Sequence, residues 1–417
     1  MKSNEKKDIL FLCQFFYPEY NSSATLPFDT AKFFASQGFS VDGLVGYPKE
    51  YSTDKHLPIQ ETVSGVFIRR IRYLQLNRIG KIGRLINYFS FTFCVWRRIA
   101  YLKKYKAVIV YSNPPILPLI PILAKKKYGT KIVFVAYDIY PEVAYASHKL
   151  NPDSVISKIM NHINRRLYKE VDCVIALADE MREFLLLHRP ELSPERVVTI
   201  PNWAHEKESI PDHKAYRRFG YKDDQFIVSY FGNMGTCQDM ETMMQAAELL
   251  KNDERIRFLI IGHGNKKNDI EARIKNKKMD NVQILSFLTG IDFQQAVAIS
   301  SCCIVSLEKG LRGTCAPSKY YSYLQGGLPV LAVVEKGSYI AEEVRKEQLG
   351  YSIEIGDGIA LRDAIIAMAE DRNMCSEMGN RAKRLYREQY AYEVAMNKYL
   401  SVLTEKCGIK QGIANNE

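Results

Sequence analysis

Acidic residues are missing from the whole span between Thr62 and Tyr137, and nowhere does the chain hold an apolar run long enough to cross a bilayer. A spanning helix needs ~20 apolar residues. Leu85–Trp96 falls short of that, and Ala107–Leu123 is broken by Asn113, Pro114, Pro115, Pro118 and Pro121. No transmembrane helix is therefore expected. Met1–Asp8 carries charge with no apolar segment behind it, so this stretch does not read as a secretory signal. The nine cysteines are odd in number and lack both zinc-site spacing and the pattern of a disulfide framework. Their scatter fits a reducing compartment.

Positive charge is present and unevenly placed. Residues 1–200 hold 29 Lys and Arg against 18 Asp and Glu, whereas residues 201–417 hold 29 of each, so the excess of +11 lies in the first half. The acid-free span carries Arg69, Arg70, Arg72, Arg78, Lys81, Arg84, Arg97, Arg98, Lys103, Lys104, Lys106, Lys125, Lys126, Lys127 and Lys131. Among them stand Tyr73, Tyr88, Phe89, Phe91, Phe93 and Trp96. Basic residues beside an apolar, aromatic block suit an anionic membrane surface. Arg84, Trp96, Arg97 and Arg98 are the candidate contacts. A core helix with a solvated basic face is the plainer alternative. Nucleic acid is disfavoured, because no nucleic-acid module accompanies the charge.

A chain of 417 residues exceeds one ordinary core and implies two or three domains. Its 47% hydrophobic and 25% charged residues are those of a soluble globular protein. In the first half, strands are expected at 8–14, 40–45, 106–111, 131–136, 173–176 and 197–200. Helices are expected at 24–37, 117–127, 155–170 and 180–188. Pro201-Asn202-Trp203 closes that half. After a polar linker, 205–221, strands recur at 225–231, 257–261, 282–285, 303–306 and 328–334. Helices recur at 240–250, 269–277, 292–300 and 319–325, with 360–371, 374–389 and 392–406 ending the chain. This alternation predicts α/β architecture with two doubly wound, Rossmann-like domains. Ligands of such sheets bind at the carboxyl ends of the strands.

The stretch Gly310–Val330 concentrates the signals. Gly310 and Gly313 make a permissive loop, Pro317 breaks regular structure, and Ser318 is expected to cap a helix starting at Lys319. A helix N-terminus suits an anion, whereas a lysine in the first turn opposes the dipole. A phosphate between Lys319 and the helix end would account for that placement. A solvated lysine on a capped helix is the bland alternative. Phe231-Gly232-Asn233-Met234-Gly235 also links a strand to a helix, and its glycines would let backbone N–H groups approach a ligand. Together the two helix starts could hold one pyrophosphate. Ile261-Gly262-His263-Gly264 is a third glycine turn, with His263 read as a solvated loop residue rather than a catalyst.

Taken in order, these segments resemble glycosyltransferase family 4, within the GT-B superfamily, and in particular bacterial surface-polysaccharide enzymes of the N-acetyl-L-fucosamine transferase type. The resemblance covers nearly the whole chain. It rests on Gln14-Phe15-Phe16-Tyr17-Pro18-Glu19, Ser112-Asn113-Pro114-Pro115 and Asp138-Ile139-Tyr140-Pro141-Glu142. It continues through Ile200-Pro201-Asn202-Trp203, Gly232-Asn233-Met234-Gly235, Ile260-Ile261-Gly262-His263-Gly264, Pro317-Ser318-Lys319 and Gly327-Leu328-Pro329-Val330.

The resemblance implies a GT-B fold: an acceptor- and membrane-facing domain over 1–202, completed by about 391–417, and a nucleotide-sugar domain over 203–390. The two would face a cleft, with a C-terminal helix crossing back to the first. It implies retaining, metal-independent transfer from a nucleoside-diphosphate sugar to a lipid-linked saccharide, in capsule or lipopolysaccharide synthesis at the cytoplasmic face of the membrane. No cofactor is expected, and no Asp-x-Asp pair is placed in a loop to hold a metal. Lys319, Asp138 and Glu142 are the candidate catalytic residues, with a helix-capping role open for Glu142. Gly232, Asn233, Gly235, Gly262, Gly264, Arg312, Ser318 and Ser322 are candidates for the donor, and Glu19 and Asn113 for the acceptor. A solvated role stays open for Glu19.

The chain departs from the family pattern in three places. Two family glutamates fall at Thr314 and Ser322, so both carboxylates are missing. The basic pair common after the Gly-Asn-x-Gly loop is replaced by Thr236, Cys237 and Gln238, and the glycine pair of the first loop by Asn21, Ser22 and Ser23. Fewer cations put more weight on Lys319, assisted by Arg312. A sugar-nucleotide 2-epimerase of the same fold and a non-catalytic binding relative are the alternatives.

Overall fold

The computed structural model describes residues 6–48, 56–76, 81–204, 213–286, 288 and 290–410. Arg78 and residues 205–212 of the expected linker lie outside them. The chain divides into two compact units. One is Met1–Pro201 with Gly313–Ala316 and Ala395–Glu417, and the other is Asn202–Arg312 with Pro317–Val394.

The first unit is built on eight strands: β1 (Lys7–Cys13), β2 (Val41–Gly46), β3 (Gln60–Val63), β4 (Val66–Ile71), β5 (Tyr105–Tyr111), β6 (Lys131–Ala136), β7 (Cys173–Ala176) and β8 (Val197–Thr199). Their order is β3-β4-β2-β1-β5-β6-β7-β8. All pairs are parallel except β3 with β4. Ile9, Leu10, Phe11 and Leu12 are wholly buried, as a central parallel strand covered on both faces requires. The order reverses between β1 and β5, and ligand loops of such sheets gather at that point. The helix Val155–Glu170 starts where Ser154 accepts from the Ser157 N–H at 3.2 Å.

The β3–β4 hairpin was not anticipated. It turns at Ser64 and Gly65, both with positive φ. It also corrects the reading of Arg70 as part of a solvated basic surface. The Arg70 guanidinium is buried, ion-paired with Glu61, and donates to the carbonyls of Pro58 and Tyr17.

The helix Lys81–Trp96 is packed on one face and exposed on the other. One face is core: Phe91 and Val95 are wholly buried and Asn87 nearly so. On the other, Leu85, Phe89, Phe93 and Trp96 are exposed by 41%, 60%, 56% and 49%. Asn87 accepts from the N–H of Leu76 and donates to its carbonyl. This ties down a strap whose Leu74 and Leu76 are also exposed.

The second unit has six strands: β9 (Phe226–Phe231), β10 (Ile256–Ile261), β11 (Val282–Leu285), β12 (Cys302–Ser306), β13 (Val330–Val333) and β14 (Gly350–Ile353). They run parallel in the order β11-β10-β9-β12-β13-β14. Here the reversal lies between β9 and β12. One face of this sheet packs Val228, Tyr230, Phe258 and Ile260 against Met243, Met244, Leu361 and Ile365 of the helices Glu241–Leu249 and Gly358–Glu370. β14 and the helix Tyr339–Lys346 were not anticipated. The strand has only four residues and mixed burial, which gives little periodic signal.

Candidate functional site

In the second unit, the loops after β9 and β10 lie backbone against backbone. A Cβ added at Gly262 would stand 1.9 Å from the Gly232 carbonyl oxygen, and one at Gly264 would stand 2.3 Å from that of Met234. Contacts this close leave room only for glycine. The same packing corrects the expectation that this loop turns its N–H groups toward a ligand. Gly232 donates to Ile261 O at 2.9 Å, Met234 to His263 O at 2.7 Å, and Gly235 to Gln238 Oε1 at 3.1 Å. The glycines serve loop packing, and three of the four N–H groups from Gly232 to Gly235 are committed within the protein.

Lys319 lies over this loop. Its Cε would be 3.4 Å from a Cβ placed on Gly232. Its Nζ donates to the Tyr230 hydroxyl at 2.6 Å and lies 4.0 Å from the Tyr230 ring centroid. The Tyr230 hydroxyl donates in turn to Asn233 O at 2.7 Å. Desolvation brings the Lys319 ammonium down from its usual pKa to about 7. When protonated, the ammonium rests on a ring face and one hydroxyl, with no carboxylate paired to it among the described residues.

The short helix Lys319–Gln325 is fixed from below. Tyr323 accepts from the Phe231 N–H at 3.0 Å and donates to Phe231 O at 3.3 Å, pinning the helix to the end of β9. Tyr320 and Tyr390 donate to the two oxygens of Glu343 at 2.5 and 2.6 Å, and burial raises that carboxyl's pKa. Ser318 does not act as the expected cap. It has helical φ and ψ, and its side chain makes no capping bond. Ser322 is exposed on the helix, and Arg312 is exposed with its guanidinium against Gly337. His263 is exposed, as the bland reading had it.

In the first unit, β1, β5 and β6 are neighbours, and the segments leaving them carry cis Tyr17-Pro18, Asn113-Pro114 and Tyr140-Pro141 bonds. Glu19 is buried rather than solvated. Its Oε2 accepts from the Phe16 N–H at 3.4 Å and closes its own turn. The Asn113 Oδ1 is buried without a hydrogen-bond partner among the described residues. The N–H of Asp138 donates to Ser112 Oγ at 3.1 Å, and Asp138 bridges antiparallel to Cys315. Ile139 donates to Thr314 O at 2.8 Å, so Thr314, where the family carries a glutamate, is buried against this loop. Burial pushes the Asp138 carboxyl up to about 6, with Lys149 pulling the other way.

Glu142 opens the helix Glu142–Ala146 and pairs with Arg189 at 2.5 Å, beside the Tyr168 ring. The ion pair engages Oε1 alone, and Glu142 Oε2 is buried without a hydrogen-bond partner among the described residues. Tyr230 and Tyr323 were missed altogether, because a tyrosine in a strand or helix reads as core until its hydroxyl is located. No cluster of metal-ligating side chains is found among the described residues.

Residues 24–207 match the domain family described as Glycosyltransferase Family 4, and residues 213–385 match Glycosyl transferases group 1. The probable glycosyltransferase WbjE of Pseudomonas aeruginosa is 24% identical over 326 residues, 78% of this chain and 80% of that protein. WaaG, a glycosyltransferase involved in lipopolysaccharide biosynthesis, superposes with a TM-score of 0.72 at 14% identity over 95% of this chain and all of that one. Anabaena Alr3699/HepE, solved with UDP and glucose, superposes with a TM-score of 0.70 at 14% identity, over 96% of this chain and 100% of that one. At such identities the two structures bear on the fold, which is that of GT-B enzymes.

Proposed function

The chain belongs to the glycosyltransferases, a family 4 domain followed by a group 1 domain, and we propose that it moves a sugar from a nucleoside-diphosphate donor to a lipid-linked saccharide during synthesis of a bacterial surface polysaccharide. The observation that carries this reading is Lys319, a desolvated ammonium over the glycine loop at the reversal point of the second sheet. The names of WaaG and WbjE and the UDP bound to HepE support it.

In this reading the second unit holds the diphosphate. The bond from the sugar C1 to the β-phosphate oxygen breaks, and the negative charge it leaves is met by Lys319. The charge is preorganised and poorly hydrated, so it acts more strongly there than in water. Arg312, Ser318 and Ser322 contribute contacts from the loop and helix face. The first unit holds the acceptor, with Asn113 Oδ1 as an acceptor-binding atom. Asp138 orients the acceptor hydroxyl or steadies the cationic sugar. The new bond forms between C1 and the acceptor oxygen on the face that the leaving group vacates, the hydroxyl proton passing to the departing phosphate oxygen, so configuration is retained. Glu142 acts only through Arg189, as a positioning residue, and Glu19 shapes the first loop.

Nucleotide release should be assayed from a panel of nucleotide sugars, with and without bacterial membrane lipid extract. Release that depends on the extract is expected. Interconversion of the donor without extract would instead favour the epimerase, and no release or thermal stabilisation with any donor would favour a binding relative.

The same reading places the enzyme on the inner membrane surface through the helix Lys81–Trp96. Its outer aromatic face and exposed Arg84, Arg97 and Arg98 combine burial with charge. Full burial of such a side chain is worth about 1.5–3 kcal/mol, and each basic residue near an anionic surface about 1 kcal/mol. Vesicles rich in phosphatidylglycerol should therefore sediment the protein. The Phe89→Ser/Phe93→Ser/Trp96→Ser variant should bind at least about tenfold more weakly at any salt. Replacing the three arginines with serine should weaken binding mainly at low salt. Equal binding of the aromatic variant would remove this helix from the membrane.

A further inference from the structure

We propose that Lys266 is a second cation for the donor diphosphate and that Glu308 is its counter-charge, limiting the grip so that the spent nucleoside diphosphate can leave. This rests on the donor-site reading above and deepens it.

The loop after β9 has no cation of its own, because Thr236, Cys237 and Gln238 follow Gly235. The fold supplies one from the next loop. Lys266 follows the third glycine turn, and its N–H donates to Met234 O at 3.0 Å. Its Nζ reaches along the β9 loop to Gln238 O at 2.6 Å and meets Glu308 Oε1 at 2.5 Å. Glu308, in the loop after β12, is anchored to the same segment by its own N–H, which donates to Cys237 O at 3.0 Å. The loops leaving β9, β10 and β12 therefore converge on one ion pair.

A pair that only stapled loops would be indifferent to which partner carries which charge. Two features argue for more. Both side chains are partly open to solvent, at 27% and 33%, so the pair stays accessible to a ligand. An ammonium has three donors, and two are used here, leaving one N–H for an incoming phosphate oxygen. The N–H groups of Gly232, Met234 and Gly235 are occupied, so cations must carry more of the phosphate recognition. Glu308 beside that cation lowers the net positive charge of the site by one. An anion would bind more tightly without it, and a product anion would leave more slowly.

The two partners therefore have opposite effects, which a structural ion pair would not produce. Calorimetric titration of wild-type protein with uridine, guanosine, adenosine and thymidine diphosphates identifies the tightest ligand. Lys266→Gln should weaken that ligand about tenfold or more and flatten the salt dependence, and Lys266→Arg should restore most of it. Glu308→Gln should tighten it at least about threefold and lower kcat without raising KM, because release becomes slower. Both variants weakening binding together, or Glu308→Gln leaving it unchanged, would overturn the proposal while the donor site stands. A wild-type protein that binds none of the four diphosphates would overturn the donor-site reading itself.

Discussion

Replacing Lys319 with alanine is expected to lower kcat by a factor of about 10²–10³, the scale seen when a preorganised charge-stabilising donor is lost. The fold should survive the change. The ammonium is desolvated and its partners are a hydroxyl and a ring face, so removing it breaks no ion pair. Its pKa of about 7 in the folded protein, below the usual 10.5, means that the unfolded chain binds the extra proton more readily. This lysine therefore penalises folding increasingly as pH drops from about 10 to 7. The alanine variant should gain stability relative to wild type over that window, in denaturant titrations at several pH values. A variant that loses activity and also melts far below wild type would mean that Lys319 holds the structure rather than the phosphate. Near-normal turnover would remove it from the site.

Asp138→Asn is expected to lower kcat/KM by about 10², within the range for a group that handles a proton or steadies charge. The pH profile separates that role from simple packing. In the proposed mechanism Asp138 acts ionised and Lys319 protonated, and their pKa values in the free protein are about 6 and about 7. The wild-type kcat/KM should trace a narrow bell with limbs near those values. The asparagine variant should keep the alkaline limb and lose the acid one. Lys319→Arg, whose charge persists through this range, should do the reverse. A profile flat from pH 5 to 9 would sink both assignments. The stability sign for Asp138 is opposite to that of Lys319. Its raised pKa makes the folded state favour the proton, so stability falls as pH climbs from about 4 to 6, and the asparagine variant is spared that loss.

What could be read from sequence follows from how local each cause is. Ile9–Leu12 is a continuous apolar run because a central parallel strand is covered on both faces, and such runs are visible one residue at a time. The start of the helix at Val155 is set by one side chain, Ser154. Edge elements were harder: β3 is half exposed and β14 is short, so neither has a strong period. At the site, a lysine at a helix start beside a glycine loop is an oddity that sequence exposes. The destinations of the Gly232 and Met234 N–H groups are not, because they lie across the fold at Ile261 and His263. The same holds for Glu142, whose partner Arg189 is 47 positions away, and for Arg70, which reads as solvated charge but closes a hairpin.

The phenol–carboxylate lattice of Tyr320, Glu343 and Tyr390 bears on how such an enzyme diversifies. It anchors the base of the Lys319 segment, and Tyr323 bolts the same segment to the neighbouring strand end. Sliding that segment would strip several buried polar groups at once, a cost few single changes could offset. New donor preferences would therefore arise by altering outward positions such as Ser322 or the turn from Gly310 to Arg312. The anvil beneath them would stay fixed while the proposed donor changes.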